Sequence, residues 1–109
     1  MKKTIAIDFD GVVHKYSKGW QDGEIYDEPV EGALRGLLEL CMKGYKIVIF
    51  TTREDTTSIK EWIHRKYDFY FPNQEIFEFE VTNKKPPAIA YIDDRGIRFT
   101  NWKDMLNYF

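Results

Sequence analysis

The chain has 109 residues, a length that suits one compact domain. Its 43% hydrophobic and 31% charged residues are ordinary for a soluble globular protein, and a formal net charge of -2 gives no footprint for bulk nucleic-acid binding. The single cysteine, Cys41, rules out an intrachain disulfide; with no apolar run of signal-peptide or membrane-span length, the expected location is cytoplasmic, away from membranes.

Thr4-Ile5-Ala6-Ile7 is a short apolar run bounded by Asp8 and reads as a buried strand. Residues 12–28 are rich in glycine, charge and aromatics and lack a sustained period, so a loop or small flap is expected there. A helix is expected from Pro29, where a missing N–H costs nothing, with Val30, Leu34, Leu37, Leu38 and Cys41 on its apolar face and Gly44 past its end. Cys41 is then a small core residue rather than a nucleophile.

Lys46-Ile47-Val48-Ile49-Phe50 reads as a second buried strand, ending at Thr51-Thr52-Arg53. Ile59, Trp62, Ile63 and Tyr67 mark a second helix, with Thr56, Thr57 and Ser58 available to cap it. Phe69-Tyr70-Phe71 is expected to be a short strand stopped by Pro72, and Ile76–Val81 a half-buried edge strand. Ile89-Ala90-Tyr91-Ile92 is a further strand ending on Asp93-Asp94. The tail from Asn101 carries Trp102, Met105, Leu106 and Phe109 at helical spacing, with Asn101 as its cap. Strands alternating with helices make this an α/β chain with a mainly parallel sheet, one domain over residues 1–109.

Open parallel sheets bind ligands at the carboxyl ends of their strands. Three apolar runs end on polar residues: Asp8 with Asp10, then Thr51, then Asp93 with Asp94. One aspartate after a strand is ordinarily a turn former, but this joint occurrence is not explained by turns. Four carboxylates on one edge would repel unless a hard divalent cation relieved them, and Mg²⁺ suits a site that shares its shell with phosphate and water.

Asp8-Phe9-Asp10-Gly11-Val12-Val13 resembles the first motif of the haloacid dehalogenase-like hydrolase superfamily, in its phosphatase branch. Phe50-Thr51 resembles its second motif, Lys85-Pro86 its third and Ile92-Asp93-Asp94 its fourth, in the family's order. The resemblance implies a Rossmann-like, three-layer sandwich with a minimal cap or none, and Mg²⁺-dependent hydrolysis of a phosphomonoester through an aspartyl-phosphate. It makes Asp8 the nucleophile and Asp10 the acid and then the base. Asp8, the Asp10 carbonyl, Asp93 and Asp94 would hold the metal. Thr51, or its neighbour Thr52, would bind phosphoryl oxygens, and Lys85, or Lys84, would neutralise them. Gly11 permits close backbone approach to a phosphate. Arg53 and Arg95 stand beside motif positions, as substrate contacts or as salt-bridging residues. His14 is expected in the flap, exposed or steadying it, and Trp20 and Tyr26 pack there or stack on a substrate ring.

A chain this short has no room for a cap domain. An open site suits a large phosphorylated substrate or a homo-oligomer whose neighbour serves as cap. Ile92-Asp93-Asp94-Arg95 and Thr51-Thr52-Arg53-Glu54 also resemble the phosphatase half of bacteriophage polynucleotide kinase-phosphatases, a hint toward nucleic-acid 3′-phosphate. The competing functions are a phosphate-binding regulatory module with little turnover and a phosphotransferase.

Overall fold

The computed structural model describes residues 2–93 and 97–109. Its order is β1 (Thr4–Asp8), α1 (Ala33–Met42), β2 (Lys46–Phe50), α2 (Thr56–Tyr70), β3 (Phe79–Thr82), β4 (Ala90–Asp93), β5 (Ile97–Arg98) and α3 (Trp102–Leu106). The strands form one sheet in the order β3-β2-β1-β4-β5, and every described pairing is parallel. This α/β layout is compatible with a Rossmann-like fold.

Ile5 pairs with Ile47 and Ile7 with Ile49, so the β-branched residues of β1 and β2 share one face. The crossovers through α1 and α2 step the same way across the sheet. Right-handed connections then place both helices over that face. Leu34, Leu37 and Leu40 from α1 and Ile59, Trp62, Ile63 and Tyr67 from α2 complete the core. Cys41 is half-buried against it, as its apolar neighbours imply.

The return from β3 to β4 steps the other way and therefore crosses the opposite face. It uses residues 83–89 and contains no helix. Pro86-Pro87 supplies no backbone donors and resists helix formation. The Tyr91 hydroxyl donates to the Pro86 carbonyl at 2.5 Å, and the Lys85 ammonium sits 4.7 Å above the Tyr91 ring. On this face an extended strap occupies the place where a three-layer sandwich has helices.

Three local expectations change. Pro29 does not open α1, because it is held in a bridge with His14, and Gly32 at φ 79° precedes a helix that starts at Ala33. Phe69-Tyr70-Phe71 is not a strand: α2 runs through Tyr70, Phe71 stacks on Tyr67 at 4.9 Å, and the Tyr70 hydroxyl donates to Glu28. The N-cap of α2 is Asp55, whose carboxylate accepts from the Ser58 N–H and hydroxyl. The expected edge strand is present as β3 but starts at Phe79 rather than Ile76, and the expected C-terminal helix is present as α3, which ends at Leu106 and where Asn101 accepts from the Asp104 N–H at 2.8 Å. The two-residue strand β5 has no counterpart in the sequence reading.

Candidate active site

The sheet's connections reverse direction beside β1, the position at which open α/β sheets leave a crevice. Asp8 ends β1 there. Ile7 is level with Ile92, so the next residues, Asp8 and Asp93, stand at one level on hydrogen-bonded neighbours. Adjacent strands lie about 4.8 Å apart, close enough for two carboxylates to share a cation. Asp8 also accepts from the Phe9 N–H at 3.0 Å.

Phe9 anchors the turn after β1, its carbonyl accepting from the N–H groups of Val13 and His14. Its ring is fully buried, edge-on to Trp62 and stacked on His14. With Phe9 driven into the core, Asp8, the last residue of β1, alternates to the other face, whereas Asp10 lies beyond the strand and turns its carboxylate to Arg53 and His14. Gly11 takes φ 85°, a conformation costly for other residues, and its N–H donates to the His14 carbonyl at 2.7 Å. That N–H is used within the turn.

Asp10 is held on both oxygens. Arg53 Nε donates to Oδ2 at 2.8 Å, and an Arg53 terminal nitrogen donates to Oδ1 at 3.1 Å. Nδ1 of His14 lies 2.8 Å from the same Oδ1. The Asp27 N–H donates to His14 Nε2 at 3.0 Å, so Nε2 is an acceptor and Nδ1 carries the proton toward Asp10. His14 is not exposed; it steadies the flap, the other expected role, through the Asp27 N–H. It is fully buried among Phe9, Trp62 and Tyr26.

Arg53 is buried, and its remaining reach goes to the Gly23 carbonyl in the flap at 2.8 Å. Thr51, also buried, accepts the Arg53 N–H on its hydroxyl at 3.0 Å, which leaves its own O–H to donate. Thr52 is exposed and lines the cavity beside Asp10. Lys85 lies over Tyr91, and Lys84 donates its N–H to the Thr82 hydroxyl at the end of β3. Asp94 and Arg95 lie outside the described residues.

The flap is ordered by its own polar contacts. Asp27 accepts from the Ser17 hydroxyl and N–H and from the Glu28 N–H; these donors, the hydroxyl first, hold its carboxyl down at about 2. Glu28 takes Lys66 and Tyr70 of α2, and those two hydrogen bonds lower its pKa. The Tyr26 hydroxyl accepts from the Lys18 N–H and donates to the Gly19 carbonyl.

Asp8 and Asp93 are hard oxygen donors, the type Mg²⁺ takes, and Mg²⁺ needs only one or two carboxylates beside phosphate and water. Among the described residues, no group of three or more His, Cys, Asp or Glu side chains is placed to hold a metal. Two carboxylates at adjacent strand ends nonetheless fit this modest requirement. No described helix is long and apolar enough to cross a membrane. Comparisons with protein-family models, curated proteins and solved structures found no match.

Proposed function

We propose that the chain is a Mg²⁺-dependent phosphomonoester hydrolase of the haloacid dehalogenase-like kind, working through a phosphorylated Asp8. The observation that carries this reading is the placement of Asp8, Thr51 and Asp93 at neighbouring strand ends beside the reversal point, with Asp10 held two residues beyond Asp8. Asp8 and Asp93 would hold the metal, with Asp94 and the Asp10 carbonyl completing the shell. Bound there, Mg²⁺ would supply neutralising charge for an anionic phosphate.

An Asp8 oxygen attacks phosphorus, and the bond from phosphorus to the leaving alcohol breaks. Asp10 gives its proton to that alcohol. In the second transfer, Asp10 takes a proton from water, the water oxygen bonds to phosphorus, and the bond to Asp8 breaks to release inorganic phosphate. Thr51 directs its O–H to a phosphoryl oxygen, and Lys85 or Lys84 adds positive charge.

With donors on both oxygens, Asp10 is arranged as the carboxylate that receives the water proton. Oδ1 takes two donors but Oδ2 only Arg53 Nε, so Oδ2 keeps an acceptor site where the proton can be held and passed on.

Asp8→Asn is expected to reduce p-nitrophenyl phosphate hydrolysis to the uncatalysed background while leaving the circular dichroism spectrum unchanged. Removal of metal with EDTA should stop turnover, and Mg²⁺ should restore it. Undiminished activity in Asp8→Asn or in EDTA would refute the reading. Phosphate binding without turnover in the unaltered protein would favour a binding module, and transfer to an added alcohol in preference to water would favour a phosphotransferase.

A further inference from the structure

Asp10 and Arg53 form one wall of a cavity of about 820 Å³ that opens between the flap and the start of α2. This volume lies within the range of small-molecule sites and could admit a nucleoside-sized group. Trp20 lines the cavity from the flap with 62% of its surface exposed, whereas Trp62 and Trp102 are each 2% exposed. The Arg53 guanidinium lies 5.3 Å from the Trp20 ring centre, and a Cβ at Gly23 would meet that ring at 3.4 Å. The indole is thus seated beside the proposed acid/base with much of its surface left open. An exposed indole is costly in water and well suited to stack a planar ring.

The charge around this cavity is one-sided. Apart from the paired Asp10 and Arg53, the described residues that line it carry Asp22, Glu24, Glu54, Asp55 and Glu61 against Arg65 alone. Such a rim repels a polyanion, whose backbone would need cations along its path.

We infer that the cavity between Trp20 and α2 receives the leaving group of a small phosphomonoester, a planar-ringed alcohol with no further negative charge, and excludes polynucleotide ends. This rests on the hydrolase reading for the phosphate half of the substrate. The ring stacks on Trp20, the phosphate lies toward Asp8, and the acidic rim tolerates neutral or cationic ring substituents.

Calorimetric titration of Asp8→Asn protein with adenosine, which has the ring and no phosphate, tests the ring site apart from the chemistry. Adenosine should bind and quench the fluorescence of Trp20. Trp20→Ala should weaken binding by about tenfold or more, and Trp20→Phe should recover most of the loss. For the unaltered enzyme, kcat/KM should be higher for adenosine 5′-monophosphate than for a 3′-phosphorylated oligonucleotide, and the oligonucleotide should improve as salt screens the rim. Absence of adenosine binding, equal binding by Trp20→Ala, or an oligonucleotide preferred at low salt would overturn the inference. Adenosine binding through Trp20 without hydrolysis of any phosphomonoester would uphold the ring site and remove the hydrolase reading. Hydrolysis indifferent to Trp20 would do the reverse.

Discussion

His14 spends both ring nitrogens on alignment, one on the Asp10 carboxylate and one on the Asp27 backbone. His14→Phe would keep a ring among Phe9, Trp62 and Tyr26 but leave the Asp27 N–H without its acceptor. We expect a loss of about 1–3 kcal/mol in urea unfolding, together with a lower kcat as Asp10 loses one of its restraints. A change in stability alone would assign His14 a structural role only. Asp27 itself carries a pH signature. Its folded pKa of about 2 lies below the ordinary 3.8, so its ionised form stabilises the fold above that ordinary value. This contribution fades as pH falls from 3.8 toward 2. The melting-temperature gap between the unaltered protein and Asp27→Asn should therefore close between about pH 5 and pH 2.

Legibility in the sequence also divides at this scale. Asp8, Thr51 and Asp93 are legible because each closes an apolar run, and the parallel sheet brings such ends to one edge. The grip of Arg53 on Asp10 joins residues 43 apart and leaves no periodic trace. A signal was present in the strand ends: Asp8 is level with Phe50, and Asp10 and Arg53 follow two and three residues later. The burial of His14 was hidden because the surrounding glycines and charges read as loop, while its enclosing rings include Trp62 from a different element.

Among the elements, α3 has a role out of proportion to its five residues. Its Trp102 ring lies against Gly36 of α1, and its indole N–H donates to the Val12 carbonyl at 3.0 Å, just beyond the Asp8–Gly11 turn. A Cβ at Gly36 would come within 2.9 Å of Trp102 Cδ2. Alanine favours a helix over glycine by up to about 1 kcal/mol. Overpacking of a fixed ring costs about 1–3 kcal/mol and outweighs that gain. Gly36→Ala should thus lower the urea midpoint despite its better helix propensity. The helical state of Phe69-Tyr70 is also an element-scale effect. Three aromatics favour a strand locally, yet Tyr67–Phe71 stacking and the bond from Tyr70 to Glu28 extend α2. The start of α1 was displaced by a similar long-range contact, the bridge between His14 and Pro29.

For the whole molecule, alternating apolar segments specify the parallel sheet, and the order β3-β2-β1-β4-β5 places β1 at its centre. The strap over residues 83–89 is harder to read from sequence, because a return crossover is usually helical and only Pro86-Pro87 signals otherwise. Native-state hydrogen exchange should report this layout. The amides of Ile5 and Ile7, between two paired strands, should exchange near the global unfolding limit, while those of Ile97 and Arg98 at the edge should open much sooner. Uniform protection across the sheet would contradict it.

The central position of β1 also bears on how the protein is made. This strand leaves the ribosome before β2, and its other neighbour, β4, is complete only at Asp93. A growing chain that has made β2 and β3 therefore still has one side of Ile5-Ala6-Ile7 without its lasting partner. Such an apolar strand edge is a template for self-association. Stalled synthesis before residue 93 should leave a sticky, protease-sensitive fragment, because β4 is the strand that covers this side of β1.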